Sequence, residues 1–195
     1  MKITFDHSKG VFTETGDSLL EVFATTENET SKEMFESGWL PFRDKWYQTR
    51  SSRLELREIS KRRKKELSKI KITTEGDISL IVKKSEKYHK FDTEYLDEYL
   101  ELPHFKFFFD DCFCGVVNLV DGIPYYTFMI WDESDKKHSY GTLSYYYLID
   151  KFYNEKLDYI YISEFYEQFS YKNTLQGFEF WDGKKWVSKE NKKGE

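Results

Sequence analysis

The stretch FKFFFDDCFCGVVNLVDGIPYYTFMIW, residues 105–131, decides the fold class. Two turn pairs, Asp110-Asp111 and Asp121-Gly122, cut it into three runs of aromatic and β-branched residues. Aspartate and glycine tolerate the left-handed backbone of a tight hairpin, and aromatic and β-branched runs favour strands. The stretch therefore predicts an antiparallel meander of Phe105–Phe109, Cys112–Val120 and Pro124–Trp131. Cys112 and Cys114, two residues apart, fall on one face of the middle strand. Two cysteines build neither a disulfide framework nor a zinc site, so they read as buried thiols.

Downstream, a charged loop, Asp132–His138, leads to a helix over Tyr140–Asn154 with Ser139 as its cap. A strand at Tyr159–Ser163, a short helix at Glu167–Thr174 and a hairpin at Gly177–Val187 follow, and the last residues read as a frayed tail. Upstream, Lys2–Phe5 and Leu19–Phe23 read as strands. Thr30, with Glu33 three residues on, predicts a capping box for a helix that stops at Gly38. Trp39–Tyr47 reads as a hairpin and Ser52–Arg57 as a strand. Ile70–Val82 reads as strand with a turn at Glu75-Gly76-Asp77, and Asp92–Leu100 as a helix whose Tyr95, Leu96, Tyr99 and Leu100 share a stripe. These elements divide into an N-terminal module, 1–69, a core, 70–188, and a tail, 189–195.

The chain has 195 residues, 17 Phe, 15 Tyr and 5 Trp, but only 10 Gly and 3 Pro, which excludes linker, collagen-like and disordered classes. Its most apolar run, Tyr125–Trp131, is far short of the roughly 18 residues of a membrane helix, and the first residues lack the apolar stretch of a secretory signal. The expectation is a soluble, cytoplasmic protein without a membrane partner. Net charge is −5, yet Lys61–Lys71 carries seven basic residues against one acid. That run serves either a localised anionic partner or a solvated helix face. His7, His89, His104 and His138 show no ligand spacing, and no metal is expected.

The order meander, long helix, strand, short helix, strand resembles the GNAT-type acyltransferase core. It implies an α+β fold with a mostly antiparallel central sheet and flanking helices, here with a small N-terminal module. A more specific resemblance rests on Ser139-Tyr-Gly-Thr142, Tyr159-Ile-Tyr-Ile-Ser163, Tyr171-Lys172 and Gly177–Trp186. Gly38-Trp39, Phe42, Trp46-Tyr47, Arg50-Ser-Ser-Arg53 and Ser60-Lys-Arg-Arg63 add to it. In order and spacing these motifs resemble the arginyl- and leucyl-tRNA-protein transferases, over about Met34–Trp186. Eukaryotic members of that family carry an N-terminal cysteine cluster that this sequence lacks, and short bacterial members do without it.

The resemblance implies an aminoacyltransferase that moves arginine or leucine from charged tRNA to the N-terminal α-amine of proteins, those with acidic N-termini foremost. An α-amine with a reference pKa of about 7.7–8.0 is partly neutral at physiological pH, so no side-chain nucleophile is needed. Alignment, oxyanion donors and a proton path to the ribose oxygen are needed instead. Aminoacyl-tRNA is then a co-substrate, and no further cofactor is implied. Ser139, Gly141 and Thr142, at a helix start, are candidates to meet tRNA, and equally an ordinary capped helix start. Tyr171, Lys172, Tyr161 and Glu164 are catalytic candidates, the lysine toward a tRNA phosphate or the ester oxygen and Glu164 toward the incoming amine; a solvated lysine beside a core tyrosine is the other reading of the Tyr171-Lys172 pair. Arg62, Arg63, Lys64 and Lys65 are assigned to tRNA, and Arg53 and Arg43 to an acidic N-terminus. Trp39 and Trp46 are candidates to stack on an adenosine, or core residues. Two further readings stay open: an acyl-CoA-dependent N-acetyltransferase, and a non-catalytic binder of tRNA or acidic N-termini. The single glycine of Asp135–Gly141 speaks against the CoA enzyme.

Overall fold

The structure, a computed structural model, describes residues 2–5, 11–12, 18–19, 22–85, 94–132, 139–163 and 167–188. Its elements are α+β, in two compact units: Met1–Glu55 with Tyr161–Glu195, and Leu56–Ile160. Residues 52–55 of the first unit pair with the C-terminal hairpin.

In the second unit, β8 (Ile72–Thr73), β9 (His104–Phe109), β10 (Phe113–Val120) and β11 (Ile123–Trp131) lie in the order β11-β10-β9-β8, all antiparallel. This is the expected meander. The turn residues Asp110, Asp111 and Asp121 take φ of 49°, 56° and 50°. The triple Phe107-Phe108-Phe109 is wholly buried, and strand alternation sends its members to opposite faces. Phe108 joins Ile81, Val82, Leu96, Cys114, Val116 and Ile130 in one core cluster. Phe107 and Phe109 pack on the other face, with ring centroids 4.8 Å and 5.8 Å from Tyr147 of α5 (Tyr140–Asn154). Each fully buried phenylalanine contributes about 1.5–3 kcal/mol relative to an exposed one.

The expected strand over Ile78–Val82 is instead part of α3 (Ile78–Ser85). Asp77 Oδ1 accepts from the Ser79 N–H at the helix start. Ile78, Ile81, Val82 and Ser85 then recur at helical spacing along the buried face. The β-branched residues that suggest a strand serve here as one helical stripe. The helix expected from Asp92 is α4 (Glu94–Glu101), with Leu96 buried; residues 92 and 93 lie outside the described residues. Cys112 falls in the turn before β10, and Cys114 alone is a buried strand residue. Burial pushes the Cys114 thiol up to about 12. The basic run forms α2 (Lys61–Leu67), where the Arg63 N–H donates to the Ser60 hydroxyl.

In the first unit, β1 (Lys2–Phe5), β4 (Val22–Thr25), β5 (Trp39–Phe42) and β6 (Lys45–Gln48) form an antiparallel sheet in the order β1-β4-β6-β5. β2 (Val11–Phe12) and β3 (Ser18–Leu19) make a separate pair. Thr30 and Glu33 form the reciprocal capping box of α1 (Ser31–Glu36). The chain leaves that helix through Gly38 at φ 79°, where a Cβ would stand 2.3 Å from the Trp181 ring; only glycine fits both demands. β7 (Ser52–Glu55) pairs with β13 (Phe178–Trp181), which pairs with β14 (Trp186–Ser188), both antiparallel. On the other side of β7 runs β12 (Tyr159–Ile162), whose Tyr161 and Ile162 belong to this unit.

Candidate functional site

Three consecutive side chains of the Arg50-Ser-Ser-Arg53 motif each tie down a different part of the first unit. Ser51 Oγ donates to the Gly38 carbonyl at 2.6 Å. Ser52 Oγ donates to the carbonyls of Ile162, at 3.3 Å, and Ser163. Arg53 donates from Nε and Nη2 to Glu179 Oε2, each at 2.7 Å, and stacks its guanidinium over Trp186 at 4.3 Å. The pairing is set by register, since Arg53 and Glu179 face each other across β7 and β13. Arg53 is therefore engaged by an internal carboxylate, which corrects its assignment to an incoming acidic residue.

Lys172 also departs from expectation. It lies in the 3-10 helix Glu167–Thr174 and is only 3% exposed. Its Nζ donates to Ser163 Oγ at 3.0 Å, just beyond β12. A buried ammonium is costly unless hydrogen-bonded, and the Ser163 hydroxyl supplies one such bond. The adjacent Tyr171 is 40% exposed. The pair thus reverses the usual order, with the charged group inside and the aromatic one at the surface. Asn173 Oδ1, next along, is buried without a hydrogen-bond partner among the described residues.

Tyr161 is a core residue: it is buried, stacked on Phe35 at 4.3 Å and set edge-on to Trp186 at 5.9 Å. Its ring is part of the packing of the first unit. Glu164 lies outside the described residues. Trp39 is buried in a cluster with Ala24 and Met34, and Trp46 packs against the same cluster and edge-on to Phe35 at 5.2 Å. Trp39 is thus a core residue, which leaves it no free face for a base, whereas Trp46 is half-buried at the edge of the same cluster. Arg43 sits at the tip of the β5–β6 turn, with φ 54°, and its guanidinium is 5.5 Å from the Phe42 ring centroid.

In the second unit, Ser139 occupies the N-cap position of α5 but makes no side-chain cap bond, contrary to expectation; its ψ of 64° departs from the extended cap conformation. Gly141 is a helical residue, and a Cβ there would meet only Met129 Sδ at 3.7 Å. No packing demand among the described residues requires glycine. Thr142 is half-buried in the first turn. The Gly141 carbonyl accepts from Ser144 Oγ, which accepts from Tyr126 OH, fixing α5 to β11.

The basic helix α2 is partly neutralised. Glu66 accepts from Arg63 at 2.6 Å and Arg62 at 3.0 Å, and these bonds, Arg63 foremost, hold its carboxyl below the usual range. Lys64 pairs with Glu58 at 2.9 Å, and Arg63 also lies over the Tyr146 ring at 4.4 Å. Lys61 and Lys65 are exposed. Among the described residues no group of three or more His, Cys, Asp or Glu could hold a metal ion, and no helix is long and apolar enough to cross a membrane.

Sequence reasoning gave no role to Ser52 or Glu179 and placed Ser163 only at the end of a strand. The serines stood inside quoted motifs, but nothing local to them marks which backbone or cation they bind. No protein-family model matches the chain, and no curated protein is significantly similar to it.

Proposed function

We propose that this protein is an aminoacyl-tRNA-protein transferase on a GNAT-type core, transferring arginine or leucine from charged tRNA to the α-amine of proteins with acidic N-termini. The observation that carries the reading is Lys172, buried and held on Ser163 at the end of β12. A lysine of the Tyr171-Lys172 pair placed so is suited to act on a reacting oxygen rather than to sit in solvent. The succession of meander, α5, β12, 3-10 helix and β13 is compatible with the proposed core.

In the proposed reaction the neutral α-amine attacks the ester carbonyl joining the amino acid to the tRNA 3′ end. The new C–N bond forms, the carbonyl oxygen becomes an oxyanion, and the ester C–O bond then breaks. The proton lost by the amine ends on the departing ribose oxygen. The Lys172 ammonium supplies the charge that stabilises the oxyanion, and a single such donor is worth about 10²–10³ in rate in a water-poor site. Tyr171 offers a hydroxyl to the leaving oxygen. The exposed cations of α2, Lys61, Arg62 and Lys65, with Arg63 and Lys64, serve the tRNA backbone, and Ser139, Gly141 and Thr142 offer a further contact at the start of α5. Arg43 is the remaining arginine candidate for the acidic side chain.

The test is replacement of Lys172 by Ala and of Tyr171 by Phe, with transfer from purified aminoacyl-tRNA to a peptide beginning in Asp or Glu read by mass. Loss of turnover in Lys172→Ala, with tRNA binding intact, supports the reading. Full turnover in that variant at saturating aminoacyl-tRNA contradicts it.

A further inference from the structure

Lys172 does not reach its place by itself. Its Nζ donates to Ser163 Oγ at 3.0 Å, while the backbone carbonyl of the same Ser163 accepts from Ser52 Oγ. Ser52 is wholly buried, and its hydroxyl also reaches the Ile162 carbonyl at 3.3 Å. Ser163 is thus a node with two jobs: its main chain is pinned to β7 and its side chain holds the cation. From this geometry we infer that Ser163 is a positioning residue for Lys172, and that Ser52 orients the lysine indirectly by fixing the end of β12.

Two physical arguments carry this. A lysine side chain has four rotatable carbons and loses up to about 2 kcal/mol of rotamer freedom on ordering, so a flexible ammonium needs an anchor to stay at one point. A hydroxyl can serve as one, since its oxygen accepts from the ammonium. The anchor must itself be fixed to transmit position, and the bond from Ser52 does this at the strand end, where β-pairing alone fixes the backbone least. The Arg50-Ser-Ser-Arg53 motif then has a role beyond charge: Ser51 and Arg53 secure β7 to Gly38 and β13, and Ser52 extends that frame to Ser163.

The inference rests on the transferase reading for its consequence, but not for its geometry, and the experiment separates the two. Ser163→Ala, Ser163→Thr and Ser52→Ala are made in the full chain, with melting temperature and circular dichroism confirming the fold. Pulse acetylation of lysines with acetic anhydride, mapped by peptide mass, reports how firmly Nζ is held without reference to activity. In wild type Lys172 labels more slowly than exposed Lys61 and Lys65. In Ser163→Ala its labelling should rise by about 10-fold or more, the loss of one hydrogen bond to a charged group, and Ser163→Thr should restore slow labelling. The kinetic counterpart is a drop in kcat of about 10–100-fold in Ser163→Ala with KM for aminoacyl-tRNA within about twofold, again rescued by threonine. Ser52→Ala should move both readouts in the same direction but less far.

Labelling of Lys172 at the wild-type rate in a folded Ser163→Ala protein overturns the inference. So does an unchanged kcat in that variant when Lys172→Ala is inactive. A wild-type chain with no transfer activity overturns the transferase reading instead, and the labelling then decides by itself whether Ser163 positions Lys172.

Discussion

Replacing Arg53 by Met tests the reassignment of that arginine from substrate binding to architecture. The wild-type side chains of Arg53 and Glu179 are 9% and 18% exposed, with two N···O distances of 2.7 Å. Removing one member of such a buried pair leaves the other charge uncompensated, at about 3–5 kcal/mol. The lower end applies, because Glu179 keeps some contact with water. The guanidinium also stacks on Trp186 at 4.3 Å, a partly desolvated cation–π contact worth about 1–2 kcal/mol. The expected loss is therefore about 4 kcal/mol, or about 8–16 °C in melting temperature at about 2–4 °C per kcal/mol for a chain of this size. Urea unfolding followed by tryptophan fluorescence suits the assay, since Trp39, Trp46, Trp181 and Trp186 all lie in the unit that holds the pair. Arg53→Met combined with Glu179→Leu should recover most of the loss, because apolar residues can replace a buried ion pair at little net cost. A loss below about 1 kcal/mol in the single variant, the value of an exposed pair, would refute the reasoning and return Arg53 to the pool of substrate-binding residues.

Gly177→Ala should cost more than about 2 kcal/mol by denaturant titration, since φ is 71° and the new Cβ would meet the Glu55 carbonyl oxygen at 2.7 Å; a change below about 0.5 kcal/mol would contradict the close pairing of that turn with β7. Native-state alkylation at pH 8 should modify Cys112 and spare Cys114, whose thiol is raised to about 12 by burial, with both reacting after unfolding. The same shift has a sign: the unfolded thiol ionises near 9.0 while the folded one stays protonated, so this group's contribution to stability is complete below pH 9 and is lost progressively toward pH 12. Titration of stability across that window in wild type and Cys114→Ala should show a shallower fall in the variant. Reversing Arg62, Arg63 and Lys65 to Glu should lower the salt slope of tRNA binding by about 0.7–0.9 for each phosphate no longer neutralised, and an unchanged slope would make α2 a solvated helix.

What could be read in the sequence was whatever local chemistry decides. Asp110-Asp111 and Asp121-Gly122 mark their hairpins because few residues accept positive φ, and Thr30 with Glu33 marks a helix start because the box closes within four residues. Ile78–Val82 misleads because its β-branched residues suit a strand and a helical stripe alike, and the packing of α3 decides between them. The candidate site is less legible. Arg53 meets Glu179, and Ser52 meets Ser163, through strand pairing between residues more than a hundred positions apart, which no local pattern encodes. The burial of Lys172 beside an exposed Tyr171 runs against the average behaviour of both residue types, and only the fold of the 3-10 helix onto the strand end produces it.

The transferase proposal is tested most directly by incubating the full chain with total aminoacylated tRNA and two peptides that differ only in their first residue, Asp or Ala, and measuring their masses. The Asp peptide should gain the mass of one arginine or leucine residue, the Ala peptide should gain none at matched time, and Lys172→Ala should abolish the gain. No added residue on any peptide from freshly charged tRNA, or a gain unaffected by Lys172→Ala, would contradict the proposal.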